Sequence, residues 1–291
     1  MTQCDLSDRR LPGVLVRRVP HADLVPLVFD SPHSGTVYPD GFTPLLSREE
    51  LLSTADLFVG ELFENAPAKG AVLIEALFPR AFVDPNRSLD DLDPSLLATP
   101  WPHPLAPSEK STLGKGLIWR VNAALKPIYG RSLSVEEVEG RIDGYWRPYH
   151  RTLDETMDAL WARFGSAWHV NCHSMKSRTT AQDAEGPGHA RVDIVLSDRD
   201  GQTCDRAFLE VAHEALRAEG LSVAINTPFK GAELVRRQGR PAEGRHALQI
   251  EFNRRLHLDE ATLQKNERHP ILHAMVDRLI DRLAAFCREQ V

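Results

Sequence analysis

The chain has little cysteine and no CxxC pair: Cys4, Cys172, Cys204 and Cys287 are scattered over 291 residues. That excludes a zinc knuckle and a thioredoxin-type motif, and a disulfide framework is not expected from so few thiols in so long a chain. No run approaches 18 apolar residues, so no transmembrane helix is expected. The first ten residues lack the apolar stretch of a signal peptide. Positive charge is not in excess either. The formal net charge is −6, which removes the global electrostatic footprint of a nucleic-acid-binding protein. Internal repeats, low-complexity tracts and the phosphate-cradling patterns GxGxxG and GxxxxGKS/T are absent. So are the GxSxG elbow of serine hydrolases and the HExxH of helical zinc proteases. These absences predict a cytoplasmic, reduced, globular protein with no nucleic-acid and no membrane partner.

What is present is an ordinary globular balance, 42 % hydrophobic and 26 % charged residues, with twelve histidines. Short apolar runs bounded by Gly, Pro, Asn or Asp predict strands at 24–29, 71–77, 81–84, 168–172, 192–196, 222–226 and 247–252. Leu153, Met157, Leu160, Trp161 and Phe164 fall on one helical face, with Pro148 near its start and Gly165 at its end. The tail from 271 to 286 repeats the pattern with Leu272, Met275, Val276, Leu279, Ile280 and Leu283. Alternation of strands and helices predicts an α/β fold with a mixed, mostly parallel sheet flanked by helices, as a single domain over 1–291. Two long polar segments, 84–116 and 176–191, each follow a strand. Ligands of open α/β sheets bind beyond the carboxyl ends of strands, so the chemistry belongs there.

His33, in Asp30-Ser31-Pro32-His33-Ser34-Gly35, and His173, in Asn171-Cys172-His173-Ser174, both sit where an apolar strand stops. Either alone reads equally as a histidine hydrogen-bonded in a turn; two neutral imidazoles at neighbouring strand ends can share one cation. A catalytic zinc takes three protein ligands and leaves one position for water, so a carboxylate or a further histidine is required. Asp56 and Glu61 lie on a predicted helix with Leu57, Phe58, Leu62 and Phe63. The alternatives are an N-cap for Asp56 and a solvent-facing position for Glu61. Arg87, in Asp84-Pro85-Asn86-Arg87, offers a planar fork for a carboxylate, or an ion pair with Asp90, Asp91 or Asp93. Glu251 lies on an alternating strand, on the face opposite Leu248, Ile250 and Phe252. It is a desolvated general base, or an exposed-face residue of an edge strand. Cys172 beside His173 does not make a nucleophile pair, because neighbours on a strand face opposite ways.

The ordered segments SPHSG (31–35), the Asp56 region, FPRAFVDPNR (78–87), WRPYH (146–150), NCHSM (171–175), TPFKG (227–231) and HALQIEF (246–252) resemble the N-formylglutamate amidohydrolases, over about 24–260. The resemblance implies a metal-dependent hydrolase with a zinc-carboxypeptidase-like fold, related to carboxypeptidase A and aspartoacylase and of phosphorylase/hydrolase-like architecture. It implies zinc on His33, Asp56 and His173, with Mn, Co or Fe as alternative ions. Residue 36 is Thr, so the His-x-x-Glu of carboxypeptidases is absent and the family pattern favours Asp56 over Glu61. Pro85 departs from the Asp-Leu-Asn-Arg usual there.

The implied chemistry is hydrolysis of N-formyl-L-glutamate in histidine degradation. Glu251 is the general base, Arg87 binds a substrate carboxylate or the oxyanion, and Asn86 orients the substrate. Lys230, Arg236 and Arg237 are candidates for the second carboxylate. Alternatives are deacylation of another N-acyl amino acid or small peptide by the same chemistry, and a non-catalytic metal- or ligand-binding relative. An acidic chain repels a dicarboxylate, so attraction is expected to be local.

Overall fold

A computed structural model describes residues 6–291 apart from positions 22, 182 and 184, and Cys4 lies outside the described residues. The apolar runs pair into one eight-stranded sheet. Across it lie β1 (Arg9–Leu11), β2 (Leu15–Arg18), β4 (Val72–Ala76), β3 (Leu27–Ser31), β5 (Ala167–Met175), β8 (Arg245–Asn253), β6 (Ile194–Ser197) and β7 (Val223–Ile225). The central run β4-β3-β5-β8 is parallel, as is β6-β7, whereas β1-β2, β2-β4 and β8-β6 are antiparallel. The sheet is therefore mixed and mostly parallel.

The helices are α1 (Arg48–Leu52), α2 (Val59–Leu62), α3 (Glu109–Thr112), α4 (Val135–Arg141), α5 (Arg147–Phe164), α6 (Arg206–Ala218), α7 (Glu233–Gln238) and α8 (His269–Glu289). Leu272, Val276, Leu279, Ile280 and Leu283 of α8 join Phe208, Leu209 and Ala212 of α6 over one face of the sheet. Leu153, Met157 and Leu160 of α5 cover the other face, together with side chains from the long excursion between β4 and α5. Full burial of a side chain such as Phe208 stabilises by about 1.5–3 kcal/mol. Gly165 ends α5 at φ 76°, its N–H bonded to the Trp161 carbonyl at 2.8 Å, a left-handed cap that suits glycine. No described helix is long and apolar enough to cross a membrane.

Three expectations shift, and one hairpin was not anticipated. Residues 81–84 are not a strand: Ala81, Phe82 and Val83 are apolar because they turn through the second core. β1 and β2 do not read as apolar runs, because arginines at 9, 10, 17 and 18 line this edge hairpin. Charge of this kind protects a sheet edge from pairing with another chain. Trp161 is 42 % exposed, at the rim of its predicted helical face. Asp56 is not a helix N-cap: α2 begins later, behind Phe58 at φ 66°, and Asp56 lies in the preceding turn.

Candidate metal and catalytic centre

Parallel strands send their carboxyl ends the same way, so the segments leaving β3, β5 and β8 emerge together. β3 delivers His33. His173 on β5 and Glu251 on β8 are register partners, on strands ~4.8 Å apart. Gly35 lets the turn after His33 press against the exit of β4, since a Cβ there would lie 2.3 Å from the Phe78 carbonyl oxygen.

His33, Asp56 and His173 each present one donor atom, and the three atoms lie within 4.8 Å of one another. All three residues are buried. Asp56 Oδ2 is 3.1 Å from His173 Nδ1 and 3.4 Å from His33 Nδ1. The far nitrogens set the tautomers. His33 Nε2 donates to Asp84 Oδ1 at 2.7 Å, and His173 Nε2 donates to Asn171 Oδ1 at 2.6 Å. Each ring thus keeps its proton outside and turns an Nδ1 lone pair toward Asp56, the arrangement that outer hydrogen bonds impose on metal-binding imidazoles. His33 Nδ1 has no hydrogen-bond partner among the described residues although it is buried. An orphaned imidazole nitrogen beside a second imidazole and a carboxylate is a fitting donor set for a divalent transition metal.

Charge states agree with that fit. Burial, with the His33 ring adding to it, pushes His173 down to about 4, so its imidazole is neutral. Burial would raise Asp56, but the charge of Arg80 helps hold it well below the usual carboxylate range. Burial is likewise outweighed at Asp84, by Arg80, His33 and Arg87.

The serine after each histidine has a structural reason. Ser34 Oγ donates to the Asp56 carbonyl at 2.8 Å, and Ser174 Oγ donates to Asp56 Oδ1 at 3.3 Å. Arg254, just beyond β8, completes the grip: Nη2 donates to the Ala55 carbonyl at 2.7 Å and to Asp56 Oδ1 at 3.2 Å, and Nη1 to the Ser53 carbonyl at 3.1 Å. Behind His173, Asn171 Nδ2 donates to Asp30 Oδ1 at 2.8 Å. The same carboxylate accepts from His169 Nε2 at 2.6 Å and Tyr149 Oη at 2.7 Å.

The Asp84–Arg87 turn is clamped from α5 and the single π-helical turn before it, Ile142–Trp146. Trp146 Nε1 donates to the Arg87 carbonyl at 2.9 Å, and His150 Nε2 to the Pro85 carbonyl at 2.7 Å. Burial keeps His150 neutral, down to about 4, and its ring stacks on Trp146 with centroids 3.6 Å apart. Asn86 is thereby aimed inward. Its Oδ1 accepts from Leu234 N at 2.9 Å, and its Nδ2 donates to Asn171 Oδ1 at 3.4 Å, beside the His173 ring. Arg87 donates from Nε to the Lys115 carbonyl and from Nη1 to the Asn86 carbonyl, with Asp91 3.9 Å away.

Glu251 is a buried carboxyl on a strand flanked by β5 and β6, so the edge-strand alternative falls. Burial, and then the charge of Asp56, push it up to about 8 against the pull of Arg80, Arg254 and Arg191. Gln249 Nε2 donates to its Oε1 at 3.0 Å. Glu61 stands apart, paired with Lys265.

The three other basic candidates are engaged elsewhere. Lys230 pairs with Asp200 and Arg237 with Asp154, each with a well-exposed side chain, and Arg236 pairs with Glu233 while 57 % exposed. Half-buried cations stand nearer the site. Burial and the charges of Arg80, Lys110 and Lys176 push Lys115 down to about 8, and burial and Arg254 lower Lys176.

Sequence reasoning did not single out Arg80, Asp84, Asn171 or Arg254. Arg80 grips Asp84 Oδ2 from Nε and Nη2 at 3.2 and 3.0 Å, and Trp119 Nε1 donates to the same oxygen at 3.0 Å. Had 81–84 been a strand, residues 80 and 84 would stand ~13 Å apart. The signal was the run of charge in FPRAFVDPNR, and the turn hid its pairing.

The profile of a family described as N-formylglutamate amidohydrolase matches residues 25–258. An N-formylglutamate deformylase of Pseudomonas aeruginosa is 31 % identical over 275 residues, 91 % of this chain and 95 % of that protein. One of Pseudomonas putida is 29 % identical over 245 residues, covering 82 % and 84 %. The crystal structure of N-formylglutamate amidohydrolase from Ralstonia eutropha JMP134 superposes with a TM-score of 0.91. It is 43 % identical and covers 96 % of this chain and 100 % of that one.

Proposed function

The chain belongs to the N-formylglutamate amidohydrolase family, and from that membership we propose that it hydrolyses N-formyl-L-glutamate to formate and L-glutamate with zinc on His33, Asp56 and His173. The observation that carries the reading is the convergence of those three donors with a buried, proton-avid Glu251 on the adjacent strand. Zinc at such a site supplies Lewis acidity toward the acyl carbonyl and acidifies water.

The chain's own residues account for the rest. Glu251 takes a proton from the attacking water as its oxygen bonds to the formyl carbon. It returns that proton to the nitrogen as the C–N bond breaks. A carboxyl held near neutrality is matched to both transfers. Arg87, tied down at Nε and Nη1, presents Nη2 to a substrate carboxylate, and Asn86 Nδ2 orients the ligand beside His173. The acidic chain draws in a dianion through local cations, Arg87 with Lys115 and Lys176 at the loops around the site. The products suit the last step of a histidine-degradation route in the cytoplasm.

Formate release from N-formyl-L-glutamate, measured beside elemental analysis of the purified protein, tests this. We expect near-stoichiometric zinc, loss of activity on chelation and recovery on adding zinc. Glu251→Gln should keep the metal and lose about 10²- to 10⁴-fold in kcat. Full activity in protein free of transition metal would overturn the metal assignment, and full activity of Glu251→Gln would remove Glu251 from the proton transfers.

A further inference from the structure

A dicarboxylate substrate, the one proposed for this site and the premise of this inference, needs two anchors, and Arg87 serves one. Lys230, Arg236 and Arg237 are engaged in surface pairs. Three other arginines, Arg80, Arg254 and Arg191, exert their charge on the Glu251 carboxyl. Two of them are committed to the protein. Arg80 makes two bonds to Asp84 and lies 3.8 Å from Asp56. Arg254 donates from Nε to Ser174 Oγ, and from both Nη atoms to the turn that carries Asp56.

Arg191 differs. It closes the 176–191 segment that leaves β5, its carbonyl accepts from Asn253 Nδ2 at 3.2 Å, two residues beyond Glu251 on β8, and its side chain is only 8 % exposed. Its guanidinium carbon lies 5.3 Å from the Phe229 ring centroid, and Nη2 is paired with Asp183. Its Nε is buried and has no hydrogen-bond partner among the described residues. A buried N–H on a permanent cation is costly to leave without an acceptor. Phe229 belongs to the TPFKG segment, whose role the metal chemistry leaves open. The ring supports the guanidinium plane while Asp183 fixes its rotation, so the open Nε–H is held in place before any ligand arrives.

We propose that Arg191 receives the side-chain carboxylate of the substrate and so sets the preference for an acidic N-acyl amino acid. A planar, always charged donor held in place by stacking and by one ion pair is suited to carboxylate recognition. Lys176, at the other end of the same segment, adds positive charge to it.

The test compares kcat/KM for N-formyl-L-glutamate and N-formyl-L-glutamine, which keeps the α-carboxylate and replaces only the side-chain carboxylate by a neutral amide, in the wild type, Arg191→Met and Arg191→Lys. Glutarate binding to each protein is followed by calorimetry. In Arg191→Met the ratio of the two kcat/KM values should fall about 50-fold, carried by KM, with part of it restored by Arg191→Lys. An unchanged ratio overturns the inference and leaves the functional reading standing. An equal loss on both substrates with a shifted pH profile also overturns it, because Arg191 would then act only on Glu251. If the wild type hydrolyses neither compound, the functional reading fails and glutarate decides. Binding that Arg191→Met loses supports the carboxylate site; binding unaffected by Arg191→Met, or none in the wild type, refutes it. Thermal melts of both variants identify a misfolded one, and the properly folded variant is then the one scored.

Discussion

The two faces of the central sheet are built from alternate residues of the same strands, and they are opposites. Toward α6 and α8 the strands turn Leu27 and Phe29, then Trp168, Val170 and Cys172, then Leu248, Ile250 and Phe252, all in one apolar core. Toward α5 the same strands turn Asp30, His169, Asn171, His173, Gln249 and Glu251, every one of them buried. The dry face is cohesive without directional bonds. The polar face is tolerable only because its groups are wired to one another, from Tyr149 through Asp30 and Asn171 to His173, and from Trp119 and Arg80 through Asp84 to His33. Burying such groups unpaired would cost several kcal/mol each. The wiring is also what orients the imidazoles. One face is therefore apolar packing throughout, whereas the other divides between a second apolar core and a prepared polar site.

The largest effect that sharpens this division is expected on the dry side. Phe208→Ala should cost about 3–5 kcal/mol of unfolding free energy, read by denaturant titration, while the folded fraction keeps the proposed metal and its kcat. Loss of metal at full occupancy of the folded state would mean that the faces are not separable. Next comes the wiring. Asn171→Ala removes the acceptor of His173 Nε2 and should weaken metal binding about 10- to 100-fold, measured by competition with a chelator. An unaltered affinity would show that the Asp30–Asn171 chain does not orient His173.

The remaining effect concerns protons. Folding raises the Glu251 pKa, so the folded state holds that proton more tightly than the unfolded state and disfavours ionisation. In metal-free protein, Glu251→Gln should therefore match the wild type near pH 4.5. It should become the more stable of the two as pH rises toward 8. Melting curves across that range check it, and a gap that closes with rising pH would contradict the sign.

Much of this was legible in the sequence for a local reason. Period-two alternation in NCHSM and HALQIEF separates Cys172 from His173, and Ile250 from Glu251, whatever the strands pair with. Helical spacing and a terminal glycine located α5. The hairpin at β1-β2 was not legible, because its pairing is carried by backbone while arginines at 9, 10, 17 and 18 interrupt its apolar pattern. Nor was the 81–84 turn, since a buried turn and a buried strand share the same apolar composition.

The alternation of residues along the strands, the two His-Ser strand ends, and the family pattern were determined by the sequence alone, because each depends on neighbours in the chain or on their order. Only the tertiary structure decided that Asp56 rather than Glu61 faces both histidines, that Arg80 closes on Asp84, and that Lys230, Arg236 and Arg237 pair at the surface. Those outcomes depend on strand order, which sets β3 beside β5 and β5 beside β8. They depend also on turns whose geometry is fixed by contacts between residues far apart in the chain, such as Arg254 on the Asp56 turn and Trp146 on Arg87.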